Sequence, residues 1–138
     1  MNVLIVDDEK IEREGIKYLL SMEKGKRSLY EAANGKQALQ ILRTESIDLL
    51  LTDIKMPHMD GLELSRRAKE LFPDIQIVIF SGYNDFTFAQ EAIRYGVTDY
   101  ILKPVDPDNF HETIQRAEKS IYDRREQESQ ERRKQNFL

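Results

Sequence analysis

Val3-Leu4-Ile5-Val6-Asp7-Asp8-Glu9 opens the chain with four aliphatic residues that run into three consecutive carboxylates. An unbroken aliphatic run of this length reads as a strand buried on both faces. A strand end is a rigid mount, so acids placed on it are held close together. At about 4 Å each pair of charges repels by on the order of 4 kcal/mol at a surface-like effective dielectric. Protonation or a hard cation with oxygen ligands relieves such a cluster. A Mg²⁺ site would need further oxygen ligands, and a frame that brings them to the end of this strand.

The frame is visible in the alternation of patterns. Strand candidates fall at Asn2–Val6, Ser28–Ala32, Leu49–Asp53, Gln76–Ser81 and Asp99–Leu102. Three of them are almost continuous in Ile, Leu and Val, as a parallel sheet covered on both faces requires. Helical spacing fills the intervals. The predicted buried stripes are Ile11, Gly15, Leu19 and Met22; then Ala38, Leu39 and Leu42; then Leu64, Ala68 and Leu71. Phe88, Ala89, Ala92 and Ile93 form a fourth, and Phe110, Ile114, Ala117 and Ile121 a fifth. Turn residues at Asn34-Gly35, 57–61, Phe72-Pro73-Asp74 and Gly96 punctuate the units. Five β-α units imply a doubly wound, open α/β sheet, in which function collects at the carboxyl ends of the strands.

Composition narrows the class. The chain has 138 residues, 40% hydrophobic and 33% charged, enough for one core with a surplus of surface charge. A net charge of −4 argues against a basic nucleic-acid surface. Cysteine is absent, which removes disulfides and thiolate metal sites. No apolar run approaches the roughly 20 residues of a membrane span, and acids arrive too early for a signal peptide. The expected location is the cytoplasm. Residues 123–136 contain no aliphatic or aromatic side chain, so they cannot bury a face or form a coiled-coil seam. The expected division is a globular domain over residues 1–121, then a charged helical extension or linker over 122–138.

Polar residues stand at four strand ends. Strand 1 ends in Asp7-Asp8, strand 3 in Asp53, strand 4 in Ser81-Gly82 and strand 5 in Lys103-Pro104. Taken singly, an Asp after a strand is a cap or turn residue and a Lys is solvated. Together they put three carboxylates, a hydroxyl and an ammonium at one edge. His58 and His111 are isolated in sequence and are expected on the surface, without a phosphotransfer role.

These strings, with Asp53-Ile54-Lys55-Met56-Pro57-His58-Met59-Asp60-Gly61, Ser81-Gly82-Tyr83 and Asp99-Tyr100-Ile101-Leu102-Lys103-Pro104, resemble the receiver domain of two-component response regulators. The likeness covers roughly residues 1–120. It implies a flavodoxin-like, five-stranded parallel sheet in the order 2-1-3-4-5, with the helical extension appended. It implies that Asp53 is the phosphoacceptor. Asp8, Asp7, Asp53 and the backbone carbonyl of Lys55 would hold Mg²⁺, with Mn²⁺ as a substitute. Ser81 and Lys103 would contact the phosphoryl oxygens, and the Lys103-Pro104 peptide would be cis. An aspartate is a competent nucleophile toward phosphorus, and the cation and Lys103 would offset the repulsion between two anions. Pro57 and Gly61 read plainly as loop residues, with the added role of fixing the backbone that offers the Lys55 carbonyl.

The resemblance also implies a switch. Ser81 would move toward the phosphate and Tyr100 would rotate, although a half-buried strand aromatic is the plainer reading of Tyr100. Helix 4, strand 5 and helix 5 would form the output face, with Phe88 in the core and Phe86 nearer the surface. A sensor histidine kinase is the implied phosphodonor, and phosphorylation-dependent homodimerisation the implied response. At positions 55 and 83, where the family flanks the attacking water, this chain has Lys55 and Tyr83. Neither orients water as a carboxylate or amide would, so slow self-dephosphorylation is expected.

Two rival classes fit less well. A phosphatase with an aspartate nucleophile would want an acid two residues downstream, where Lys55 stands. A flavodoxin-like cofactor binder would want a Ser/Thr/Gly-rich loop after strand 1, where Asp7-Asp8-Glu9 stands. No enzyme activity beyond the domain's own phosphoryl transfer is expected. The strings 81–86 and 95–100 resemble receivers joined to AraC-type DNA-binding domains. DNA contact would thus come only through an output domain absent from these residues. The alternative is a stand-alone receiver that docks to a protein in a phosphorelay.

Overall fold

In the computed structural model the described residues are 1–82 and 86–136, the side chains of Phe86 and Ala89 excepted. The strands are β1 (Asn2–Val6), β2 (Ser28–Ala32), β3 (Leu49–Asp53), β4 (Gln76–Ser81) and β5 (Asp99–Leu102). The helices are α1 (Lys10–Ser21), α2 (Gly35–Thr44), α3 (Gly61–Leu71), α4 (Phe86–Arg94) and α5 (Pro107–Asn136). All five strands pair in parallel in the order β2-β1-β3-β4-β5, as the resemblance implied.

Side-chain alternation along the strands divides the interior into two layers. Val3, Ile5, Leu49, Leu51, Val78, Phe80 and Ile101 face α1 and α5. Leu4, Val6, Leu50, Ile77 and Ile79 face α2, α3 and α4. Each fully buried aliphatic or aromatic side chain contributes about 1.5–3 kcal/mol. Phe80 of β4 meets Phe110 of α5 with ring centroids 6.4 Å apart, so Phe80→Ala would cost about 3–5 kcal/mol.

Local chemistry sets where α2 and α3 begin. Asn34 accepts from the Gln37 amide at 2.8 Å, and the Gln37 side chain accepts from the Ala33 amide at 2.9 Å. This reciprocal pair satisfies two donors that a helix start leaves open. On α3 a single cap serves: the Asp60 side chain accepts from the Glu63 amide at 2.8 Å.

Three helix stripes need correction. On α1 the sheet-facing residues are Ile16 and Leu20, with Leu19 partly buried, while Ile11 is 85% exposed and Met22 56%. Apolar residues ring much of this helix, and the face with two large aliphatics four residues apart takes the core. On α3 Leu64 and Ala68 are buried, but Leu71 in the last turn is exposed. On α4 the core contact is Ala92, whereas Phe88 and Ile93 point outward, contrary to the expectation for Phe88. A small residue at the contact lets this short helix lie close to its layer, which leaves no room beneath it for an aromatic ring. Ala89 and Phe86 lie outside what the structure describes of side chains.

The fifth helix runs unbroken for 30 residues. Phe110, Ile114, Ala117 and Ile121 are buried as predicted. Past Ile121 it leaves the sheet. Its first departing turn is nonetheless held, by Arg124 to Asp74 at 2.6 Å and Arg125 to Asp48 at 2.5 Å. No helix among the described residues is long and apolar enough to cross a membrane.

Candidate functional site

Strand parity carries the key side chains to one place. Asp7 continues the alternation of Val3 and Ile5, Asp53 that of Leu49 and Leu51, and Lys103 that of Ile101. All three therefore emerge at the carboxyl edge on the α1–α5 side. Asp7, Asp8 and Asp53 each offer a carboxylate oxygen within 4.8 Å of the others. Lys103 Nζ lies 3.1 Å from Asp53 Oδ1 and 3.8 Å from Asp7 Oδ2.

Burial and repulsion shape the electrostatics. Asp7 is 1% exposed, and burial pushes its carboxyl up to about 6. The Glu9 amide, donating to Oδ1 at 2.9 Å, and Lys103 pull it down, while Asp53 and Asp8 push it further up. Burial also raises the Asp53 carboxyl, with Lys103 opposing and Asp8 adding to the rise. For Lys103 burial disfavours the ammonium, but Asp53, Asp7 and Glu12 together outweigh it and raise its value.

Among the described residues, Oδ2 of Asp7 is buried without a hydrogen-bond partner, and the Lys103 ammonium at 3.8 Å is too far to supply one. An orphaned carboxylate oxygen in a dry cluster is costly. The donor set is all oxygen and carries an excess of negative charge over the single ammonium, which fits a hard divalent cation such as Mg²⁺.

The surrounding residues are placed as follows. Ser81 is fully buried at the end of β4, and its carbonyl accepts from the Lys103 amide at 2.8 Å, which joins the two residues across the sheet. Tyr100 is half-buried on β5 against the α2–α4 layer. Lys103-Pro104 is cis. Lys55 and Pro57 are exposed on the loop after β3, which the buried Met56 anchors between them. The Gly61 amide closes this loop onto the Ile54 carbonyl at 2.7 Å. Tyr83 lies outside the described residues. Of the histidines, His58 is exposed, while His111 pairs with Glu23 at 2.7 Å and so is not isolated in space.

Arg13 of α1 was not among the expected site residues. Its Nη1 donates to the Asp7 carbonyl at 2.7 Å. An arginine on a helix beside a strand end carries no local signal that separates it from a solvated one.

Comparison with known proteins agrees with this geometry. The family model of the response regulator receiver domain matches residues 3–115. A response regulatory protein of Staphylococcus epidermidis is 42% identical over 105 residues, covering 75% of this chain and 41% of the relative. The transcriptional regulatory protein YesN of Bacillus subtilis is 37% identical over 103 residues, covering 74% of this chain and 28% of the relative. The chain thus spans less than half the length of either relative. Among solved structures, the receiver domain of AraT, a response regulator from Geobacillus stearothermophilus, superposes with a TM-score of 0.79. It is 38% identical, and the match covers 90% of this chain and 97% of that one. A two-component transcriptional regulator AraC from Clostridium phytofermentans superposes at 0.81 with 31% identity, covering 89% and 96%. Sheet order, the acidic cluster facing a lysine, and the family match converge: the chain belongs to the response regulator receiver domain family.

Proposed function

We propose that Asp53 accepts a phosphoryl group from a sensor histidine kinase. The observation that carries this is the pairing of a largely buried Asp53 with Lys103 at 3.1 Å inside a cluster that contains Asp7 and Asp8. A carboxylate oxygen of Asp53 forms the new P–O bond as the P–N bond of the donor phosphohistidine breaks. Asp7, Asp8, Asp53 and the Lys55 carbonyl would hold Mg²⁺ or Mn²⁺, which neutralises charge on the transferring group when bound. Lys103 supplies a second, covalently fixed positive charge, and Ser81 a hydroxyl for a phosphoryl oxygen.

The output follows from the same edge. Phosphorylation draws Ser81 inward and turns Tyr100, which changes the face made by α4, β5 and α5. Phe88, Ile93 and Tyr95 are exposed there, a surface suited to a phosphorylation-dependent homodimer. The name of YesN supports transcriptional control, and that of the C. phytofermentans regulator an AraC-type DNA-binding output domain. In this reading residues 1–121 are the receiver and 122–138 lead toward that domain in a cytoplasmic protein. Self-dephosphorylation is slow because Lys55 and Tyr83 do not activate water and the Tyr83 ring can shield the in-line path, an inference from residue chemistry alone. A Tyr83→Ala variant with an unchanged phosphorylated half-life would remove it.

Radiolabelled acetyl phosphate tests the proposal. Label should enter the wild-type chain and not Asp53→Asn. Label retained in the variant would place the acceptor elsewhere.

A further inference from the structure

The carbonyl of Asp7 lies just past the end of β1, where the strand ladder stops. Three segments grip this residue. Its amide donates to the Ala32 carbonyl at 3.2 Å, and its Oδ1 accepts from the Glu9 amide at 2.9 Å. Its carbonyl accepts from Arg13 Nη1 at 2.7 Å. The Arg13 guanidinium is itself held by Glu31 of β2, Nε to Oε1 at 3.3 Å, and its side chain is only 15% exposed.

That carbonyl shares a rigid plane with the amide of Asp8. Its direction therefore sets the direction in which Asp8 leaves the strand. Among the described residues Arg13 is the donor that reaches it. Without that donor, a carbonyl in a residue 1% exposed is left unsatisfied, and the peptide relaxes by rotating toward water.

We propose that Arg13 is a positioning residue for the cation site: by holding the Asp7-Asp8 peptide plane, it keeps the two carboxylates in ligating register with Asp53. This rests on the reading of these acids as cation ligands. Arg13 touches no carboxylate of the cluster and acts through the main chain. Two opposite signs separate this role from a charge effect. Loss of a nearby cation alone would tighten Mg²⁺ binding to an acidic cluster. Loss of the positioning contact weakens it, by about tenfold or more for a partner of this kind.

The test is calorimetric Mg²⁺ titration of the wild type, Arg13→Met, and the charge-balanced double variant Arg13→Met/Glu31→Met. Hydrogen exchange of the Glu9 amide is measured in the metal-free proteins alongside. Expected are about tenfold weaker Mg²⁺ binding in both variants and faster exchange at Glu9. If the single variant does not fold, the double variant, which removes the Glu31 carboxylate together with its arginine, carries both readouts. Affinity equal to or tighter than wild type, or unchanged Glu9 protection, overturns the proposal. A wild-type chain that binds no Mg²⁺ overturns the cation reading itself, an outcome distinct from a variant that binds as the wild type does.

Discussion

The carbonyl oxygen of Asp53 occupies the space that a side chain at Gly61 would need. A Cβ at position 61 would fall on that oxygen and 2.9 Å from the Ile54 Cα. The first turn of α3 therefore presses directly on the backbone of Asp53. Gly61→Ala should destabilise the fold by about 3 kcal/mol, since the obstacle is backbone and cannot swing away. Urea unfolding checks this, and a loss below about 1 kcal/mol would show that the loop yields.

Arg27 and Glu118 tie the loop before β2 to α5 through two contacts of 2.7 Å, with side chains only 8% and 15% exposed. Glu118→Ala leaves a guanidinium with little water to replace its partner. A loss of about 3 kcal/mol is expected. Lys119→Ala, one residue on, breaks an exposed pair with Asp123 and should leave the unfolding midpoint where it was. Equal effects from the two substitutions would mean that burial of the first pair does not matter.

Asp7 makes metal-free stability depend on pH with a definite sign. Its carboxyl titrates near 6 in the folded chain against an ordinary value of 3.8. Below both values each state holds the proton, and Asp7 has no net effect. As pH rises through this window the unfolded chain releases the proton first, so the folded state loses stability until about pH 6 is passed. Asp7→Asn removes that loss. In EDTA the variant should gain on the wild type by up to about 3 kcal/mol between about pH 4 and about pH 8. Added Mg²⁺ should stabilise the wild type at the upper pH and leave the variant unchanged. A gap that does not vary with pH would refute the raised Asp7 carboxyl as the source.

The extension of α5 is anchored at its root. Asp48 accepts from Arg125 at 2.5 Å and from the Asn2 amide at 2.7 Å, so it joins the start of β1 to the helix as it leaves the domain. Asp48→Asn should speed amide exchange in residues 124–136 without changing exchange in β3. Unchanged exchange in that segment would mean that the helix holds itself.

Much of this was readable before any coordinates. The bounds of β1, β3 and β4 coincide because each is a short aliphatic run closed by Asp or Ser, and burial on both faces leaves little choice of register. The meeting of Asp7, Asp8, Asp53 and Lys103 is legible for a related reason: in a parallel sheet, residues that end strands share an edge. Helix faces were harder. On α1, Ile11, Ile16, Tyr18, Leu19, Leu20 and Met22 offer competing stripes, and only contact with the sheet selects Ile16 and Leu20. Phe88 reads as core in the sequence but lies exposed, because hydrophobicity does not tell which way a short helix rolls when Ala92 makes the contact. Arg13, Arg124 and Arg125 were invisible as contacts, since their partners are 18 to 77 residues away in the chain or belong to the main chain.

Intact-mass measurement after incubation with acetyl phosphate and Mg²⁺ tests the central claim most directly, with Asp53→Asn and an EDTA control in parallel. A single gain of about 80 Da is predicted for the wild type with Mg²⁺, and no gain for the variant or in EDTA. No adduct on the wild type, or an equal adduct on Asp53→Asn, would contradict the assignment of Asp53 as the cation-assisted phosphoryl acceptor.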